Sequence, residues 1–194
     1  MVNYRLFLAK YNRIKTDRLK LRPINMLDAE DIYEYSSRAS NTYYVYPKHR
    51  SIDDTEFSIA NHFMASPLGK YGIELKEEEK LIGTIDIRIQ AEKRSAEIGY
   101  ILNEDYQRKG LGKEAAEAIL VLAFEILELE KITASCQSEN KASEALMVSL
   151  GMKKESELRN HEIGKHGKWV NQLQYGILHK EYLQQKDFKM VSFN

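Results

Sequence analysis

The chain contains few of the residues that cross-link or interrupt a fold. Its 194 residues include one cysteine and three prolines, and 29 basic side chains balance 29 acidic ones. The lone Cys136 excludes an intrachain disulfide and a cysteine-rich metal centre. A chain of this length can bury a substantial core without a disulfide or a metal. We therefore expect a single domain over residues 1–194, with its core at about 16–183.

The sequence also lacks basic excess and long apolar runs. Zero net charge argues against a protein that binds nucleic acid or an anionic membrane, because both need an excess of Lys and Arg. No apolar run reaches the roughly 18 residues of a membrane-spanning helix. The charged N-terminus is not typical of a signal peptide, and the five histidines show no metal-ligand spacing. We expect a soluble, cytoplasmic protein with no metal and no nucleic-acid or membrane partner.

Residue periodicity predicts the order of strands and helices. Alternating apolar residues predict strands at 18–22, 70–77, 80–89, 95–102, 131–137 and 168–179. Helical spacing predicts helices at 28–38, from Ser51 through Met64, at 113–130 and at 140–150. Asp28 is a plausible cap for the first of these helices. Phe57, Ala60 and Met64 give the second its spacing, and Gly151 is expected to end the fourth.

The connections between these elements predict the fold class. Short links between 70 and 102 can only form antiparallel hairpins, whereas strand, loop, helix and strand between 98 and 132 form a crossover with parallel strands. On the crossover helix, Glu114 and three other glutamates are expected to point away from the apolar face. We predict an α+β fold: a mixed, mostly antiparallel twisted sheet with one parallel crossover, flanked by helices.

The segment "YQRKGLGKEA" at 106–115 is the clearest functional signal. Gly110 and Gly112 let backbone N–H groups approach a ligand, and the start of a helix favours an anion. Arg108, Lys109 and Lys113 add positive charge. "GLGKEA" matches a dinucleotide-binding signature, but it follows a hairpin rather than a strand end, and the Walker spacing is absent. Pyrophosphate binding and an ordinary turn before a helix both remain open on these residues alone.

Further segments narrow the interpretation. "QRKGLG" fits the pattern Q/R-x-x-G-x-G/A, and it lies in order between "TDRLKLRPI", "AEIGYIL" and "ENKASEALMVSLGM". In these segments the chain resembles the GNAT superfamily of N-acetyltransferases, and most closely its RimJ/RimL-like branch, over nearly all of 18–182. The resemblance implies direct transfer of an acetyl group from acetyl-CoA to a primary amine: a protein N-terminus, a polyamine or another small amine. It also implies a possible homodimer.

The resemblance assigns residues to the acetyl-CoA site. They are Ile101, Leu102, Gln107, Arg108, Lys109, Gly110, Leu111, Gly112, Lys113, Asn140 and Ser143. The strand at 98–102 is expected to diverge from its parallel neighbour so that pantetheine can lie beside it like an added strand. Gly99 suits a bulge or a close approach of the ligand there. Asn140 is also a plausible helix cap, and both roles are compatible.

The resemblance also suggests catalytic residues. Glu97 is the candidate base, directly or through water, although it could equally be a solvent-facing strand glutamate. A backbone N–H near Tyr100 or Ile101 could stabilise the oxyanion, and Ser143 could protonate the leaving thiolate. Two positions depart from the family: Met147 replaces a tyrosine acid, and Asn171 replaces an aspartate.

Other features leave function partly open. For the acceptor we expect Tyr43, Tyr44 and Tyr46 together with 161–169, since aromatic rings hold cationic amines, although these rings could simply pack. Cys136 is expected to be structural, because its neighbours are apolar and no histidine is near. A non-catalytic acyl-CoA-binding or interaction module on the same fold is the alternative function. A nucleotide-dependent oxidoreductase is a third.

Overall fold

The computed structural model describes residues 3–164, 167–185 and 191–193. Its strands are β1 Ile14–Lys15, β2 Leu19–Arg22, β3 Lys70–Leu75, β4 Lys80–Gln90, β5 Ser95–Leu102, β6 Lys131–Gln137, β7 Lys153–Ile163, β8 Trp169–Leu178 and β9 Ser192–Phe193. They form one sheet in the order β7-β8-β6-β5-β4-β3-β2-β1-β9. The predicted strands are thus confirmed.

Helices flank this sheet. They are α1 Tyr4–Lys10, α2 Ala29–Ser36, α3 Ala39–Thr42, α4 Ile52–Ser58, α5 Leu111–Val121, α6 Lys141–Ser149 and α7 His179–Tyr182. π-helical turns at Ile59–Met64 and Leu122–Ile126 extend α4 and α5. Within the described ranges, no helix is both long and apolar enough to cross a bilayer.

The pairing of β5 with β6 sets this sheet apart. All other paired strands among the described residues are antiparallel, whereas β5 and β6 are parallel. Their register covers three pairs, from Ser95↔Lys131 to Glu97↔Thr133. β5 continues to Leu102 and β6 to Gln137, so the two strands diverge. The α+β fold with one parallel crossover is confirmed.

Two apolar clusters hold the helices against the sheet. The larger contains Ile98 of β5 and Ile119 of α5. The smaller contains Ile101 of β5 with Ile32 and Ile59, from α2 and the turn after α4. Residues an odd number apart on a strand point to opposite faces. The sheet is therefore covered on both faces near β5.

Several local predictions were wrong for identifiable reasons. Asp28 occupies the N-cap position of α2 but makes no side-chain cap; instead, its carboxylate pairs with Arg22 at 2.7 Å. Phe57 and Met64 are 70% and 47% exposed, and Ile59 faces the core. The wider π-helical turn at Ile59–Met64 shifts the phase of the helix at Met64, whereas Phe57 already points to solvent within α4. The helical spacing therefore located the helix but not its buried face.

The ends of α6 are confirmed. Asn140 Oδ1 accepts a hydrogen bond from the Ser143 N–H at 3.1 Å. Gly151, with φ +76°, follows the helix in the left-handed conformation that glycine adopts readily.

The strand β7 was not predicted, and neither were α1, β1 and β9. β7 lies at one end of the sheet order and most of its side chains are exposed. Its charged sequence therefore carries no apolar alternation. Charged side chains on an edge strand discourage pairing with another chain.

Candidate active site

A cavity of ≈ 550 Å³ lies where β5 and β6 diverge. Its lining includes Ile98 and Tyr100, which point to one face of β5, and Gly99 and Ile101, which point to the other. Ser135 and Cys136 contribute in the same way from β6. Residues from both faces of the sheet therefore line the cavity, and a molecule in the gap could bond to both strand edges.

A short 3-10 helix, Glu104–Tyr106, connects β5 to the predicted phosphate loop. Arg108 and Gly110 have φ of +60° and +78°, and α5 begins at Leu111 with no side-chain cap on its first N–H groups. Such a turn directs successive N–H groups outward, and the start of a helix favours an anion. The geometry fits a pyrophosphate held by backbone donors.

The side chains of the loop make mostly internal contacts. Leu111 is buried in the main core. The Gln107 amide donates to the Leu102 carbonyl at 3.0 Å, and the Lys109 ammonium lies 5.1 Å from the Tyr106 ring. Lys113 pairs with Glu117 at 3.6 Å. The loop thus offers a ligand chiefly its backbone.

An ion pair beneath the loop was missed. Glu114 was expected to point away, but its side chain is 2% exposed and lies 2.7 Å from Arg18 Nη2. The Thr16 hydroxyl and the Arg18 backbone N–H donate to the same carboxylate at 2.6 and 2.8 Å. Arg18 Nη1 also donates to the Lys109 carbonyl at 3.0 Å. The start of β2 is therefore tied to both the loop and α5.

Two hydroxyls meet on the α6 side of the gap. Tyr100 Oη lies 2.9 Å from Ser143 Oγ, and both residues line the cavity with Asn140. Burial raises the pKa of Tyr100 to about 12, so its hydroxyl is protonated at neutral pH. Met147 is fully buried in the core. Burial also raises the pKa of the Cys136 thiol, which agrees with a structural role.

Glu97 lies beside the cavity and is absent from its described lining. One carboxylate oxygen accepts from the Ser135 hydroxyl at 3.2 Å, and the other lies 3.6 Å from Arg88 Nη2. The candidate base is thus held between two partners.

Asp86 is the acidic residue in the described lining. It lies on β4 opposite Gly99 and forms an ion pair with Arg88. A Cβ at Gly99 would lie 2.9 Å from Arg88 Nη1 and 3.2 Å from Asp86 Oδ1, so the ion pair lies directly over this glycine. Asp86 was not predicted as a site residue, although Thr84, Asp86 and Arg88 are polar and lie on one face of β4.

The wall opposite the sheet is aromatic. Tyr44, Tyr46, His62 and Phe63 line the cavity, as does Tyr35. The buried Tyr35 hydroxyl has no hydrogen-bond partner among the described residues, so a polar ligand group would satisfy it.

The second predicted acceptor segment lies elsewhere. Residues 161–164 and 167–169 do not line the cavity, and 165–166 lie outside the described residues. Asn171 joins the β7–β8 hairpin through a 2.6 Å bond to Glu157. No group of three potential metal ligands occurs in the described part of the chain.

The chain matches known proteins in sequence and in fold. Residues 18–153 match the acetyltransferase (GNAT) domain. The uncharacterized N-acetyltransferase YnaD of Bacillus subtilis (strain 168) is 32% identical over 169 residues, which cover 87% of this chain and 98% of that protein. The spermidine N(1)-acetyltransferase of Escherichia coli (strain K12) is 25% identical over 167 residues, covering 85% and 88%.

A solved structure agrees. The GNAT-family acetyltransferase from Bacillus anthracis has a TM-score of 0.78 at 28% identity, covering 87% of this chain and 99% of its own. The chain belongs to the GNAT family of acetyltransferases. It is therefore an acetyltransferase enzyme, and the family resemblance inferred from its motifs is confirmed.

Proposed function

We propose that this enzyme is a RimJ/RimL-like N-acetyltransferase that transfers an acetyl group directly from acetyl-CoA to a primary amine. The observation that carries the proposal is the cavity between β5 and β6, lined by paired hydroxyls towards α6 and by a carboxylate with aromatic rings on the other face. Donor and acceptor can enter from opposite faces and meet between β5 and β6.

The chain's residues fit the donor. Backbone N–H groups at 108–113 would hold the pyrophosphate, and Ile101 and Leu102 would offer the free edge of β5 to pantetheine. Gln107 supports that strand end, and Asn140 and Ser143 extend the site on α6. Acetyl-CoA supplies an acyl group on a thioester, whose sulfur is a good leaving group.

The acyl carbonyl oxygen needs a donor as the amine attacks. The backbone N–H of Tyr100 or Ile101 lies on the diverging part of β5, beyond the last pair with β6 at Glu97. A fixed N–H in a gap shielded from water stabilises developing negative charge. Glu97 is the base predicted from the sequence, directly or through water, but its carboxylate is already bound to Ser135 and Arg88.

Ser143 donates a proton to the departing sulfur. Its hydroxyl pairs with that of Tyr100, so a proton lost from Ser143 can be replaced through Tyr100. This hydroxyl pair can donate the proton that Met147, a thioether, cannot donate.

Single-turnover transfer tests the proposal. The enzyme is mixed with radiolabelled acetyl-CoA and a panel of polyamines, peptides and small amines, and we expect an acetylated amine. Tight binding of acetyl-CoA with no transfer to any amine would instead favour a non-catalytic acyl-CoA-binding module. NAD in place of acetyl-CoA tests the oxidoreductase alternative, and no NAD binding is expected.

Removing the hydroxyl pair should slow turnover moderately. A thiol with a pKa of ~8.5 leaves well unaided, so we expect Tyr100→Phe and Ser143→Ala each to lower kcat by about tenfold. The matched control is Tyr175→Phe, because Tyr175 donates to Glu144 at 2.9 Å but does not line the cavity. Equal losses in Tyr100→Phe and Tyr175→Phe would contradict a role for the pair.

A further inference from the structure

The acceptor amine needs a carboxylate that it can reach. An alkyl amine has a pKa near ~10 and arrives as an ammonium, so it must lose a proton before it attacks. Glu97 is bound to Ser135 and Arg88 beside the cavity. Asp86 is the carboxylate in the described lining, on the face with the aromatic wall.

Asp86 is held in place from several directions. Arg88 of its own strand forms an ion pair with it, and a glycine opposite leaves room for both side chains. Arg88 also approaches Glu97, so it links the two carboxylates. Glu97 and Ser135 can thereby fix the guanidinium, which leaves Asp86 facing the cavity.

We propose that Asp86 is the catalytic residue that binds the acceptor ammonium and takes its proton, and that Glu97 positions Arg88. The inference rests on the proposed acetyl transfer. One N–H bond of the ammonium breaks and the proton moves to Asp86. The amine lone pair then forms the C–N bond as the C–S bond breaks, and the sulfur takes a proton from the Tyr100–Ser143 pair. The nitrogen then still carries two protons and a positive charge. It gives one proton to that pair and so becomes the neutral amide nitrogen, and Asp86 returns its proton to solvent.

The charge of the lining restricts the acceptor. Apart from tyrosines and Cys136, whose raised pKa values keep them neutral, the charged and titratable side chains in it are Asp86, Arg88, His49 and His62. Burial lowers the pKa of both histidines. One carboxylate beside one guanidinium favours a single positive charge on the acceptor. We therefore infer a monocationic primary amine, such as a peptide N-terminus, over a polycationic polyamine.

The pH dependence follows from the groups that face Asp86. Burial raises the pKa of this carboxyl above its usual value, although Arg88 on β4, the Gly99 N–H on β5, His62 and Lys70 on β3 act in the opposite direction. Asp86 must be ionised to accept a proton, so kcat/KM should fall on the acidic side as Asp86 is protonated. Arg88→Gln removes a cation and should move that fall to higher pH.

The experiment compares Asp86→Asn, Glu97→Gln and the wild type with a tripeptide amide, phenethylamine and spermidine as probes. Asp86→Asn should lower kcat/KM for the best probe about 100-fold without changing the Kd of acetyl-CoA. Glu97→Gln should lower kcat/KM by less than about tenfold. Because this substitution frees Arg88, it should also shift the pH at which kcat/KM falls on the acidic side. A full loss in Glu97→Gln with an active Asp86→Asn would overturn the inference and leave acetyl transfer intact.

A second readout does not depend on turnover. The Asp86 carboxyl carbon is titrated by NMR in the complex with desulfo-CoA, with and without each probe. Binding of an ammonium should lower the Asp86 pKa with the tripeptide amide more than with spermidine. An Asp86 pKa unmoved by every probe would refute the contact.

Discussion

Gly112→Trp is expected to abolish acetyl-CoA binding while the protein remains folded. A Cβ on Gly112 would lie 3.7 Å from Leu146 Cδ2 and 3.8 Å from Leu102 Cδ2, which are ordinary contacts. An indole at this position would extend between the start of α5, the end of β5 and α6. That space is where the proposed pyrophosphate and pantetheine contacts meet, so we expect the Kd, measured by calorimetry, to rise more than about 100-fold, a loss of over ~2.7 kcal/mol.

Gly112→Ala is the matched control. Its methyl group fits the same contacts, so the Kd should stay within about twofold. Alanine within the first turn of α5 should raise the free energy of unfolding by up to ~1 kcal/mol. If Gly112→Trp folds and keeps wild-type affinity, the loop does not hold the cofactor.

Arg18→Gln is expected to reduce both stability and affinity for CoA. The substitution leaves the buried Glu114 carboxylate with the Thr16 hydroxyl and one backbone N–H as hydrogen-bond donors. An inadequately paired buried group costs about 1–3 kcal/mol, and the 43% exposure of Arg18 argues for the middle of that range. The Lys109 carbonyl also loses its donor. The loop is then less ordered before binding, and we expect the Kd of CoA to rise about tenfold.

Arg22→Gln separates the two effects. Arg22, at the end of β2, pairs with Asp28 before α2 and with Glu74 on β3, and it has no contact with the loop among the bonds of the described residues. It should therefore lower the melting temperature but leave the Kd of CoA unchanged. Equal losses of affinity in both variants would mean that Arg18 acts only through global stability.

The ion pair also predicts a dependence of stability on pH. Burial opposes ionisation of Glu114, but hydrogen bonds from Thr16 and Arg18 outweigh it and lower its pKa. A lowered pKa stabilises the fold above the unfolded value of about 4.3, and this contribution is lost as the pH falls through the folded value. Denaturant unfolding should show a smaller loss on acidification in Glu114→Gln than in the wild type.

The sequence predicted the features that depend on local patterns. The β3–β5 hairpins, the crossover through α5, the Asn140 cap and Gly151 all follow from periodicity and turn chemistry within a few residues. Motif order supplied the family, including the loop around Gly110. These signals depend on residues that are close together in the sequence, so a single sequence is sufficient to recognise them.

The features that were missed depend on distant residues. Arg18 and Glu114 are 96 residues apart, so nothing local marks Glu114 as buried. Asp86 lies between two isoleucines on its strand, a pattern that any exposed strand residue would show. It lines a cavity because the aromatic wall, which is distant in sequence, lies opposite it. Glu97 was chosen for its place beside the motif, whereas its contacts with Arg88 and Ser135 depend on the sheet register.

The short β5–β6 register has a mechanical consequence. Three residue pairs join β5 to β6, fewer than the four or more that join any other two neighbouring strands between β2 and β8 in the sheet. A pantetheine arm bonded to the edges of both β5 and β6 would add hydrogen bonds to this short connection. Bound acetyl-CoA would then strengthen the connection between the two parts of the sheet, β6–β8 and β1–β5 with β9, as well as supply the acetyl group. Its release would weaken that connection again.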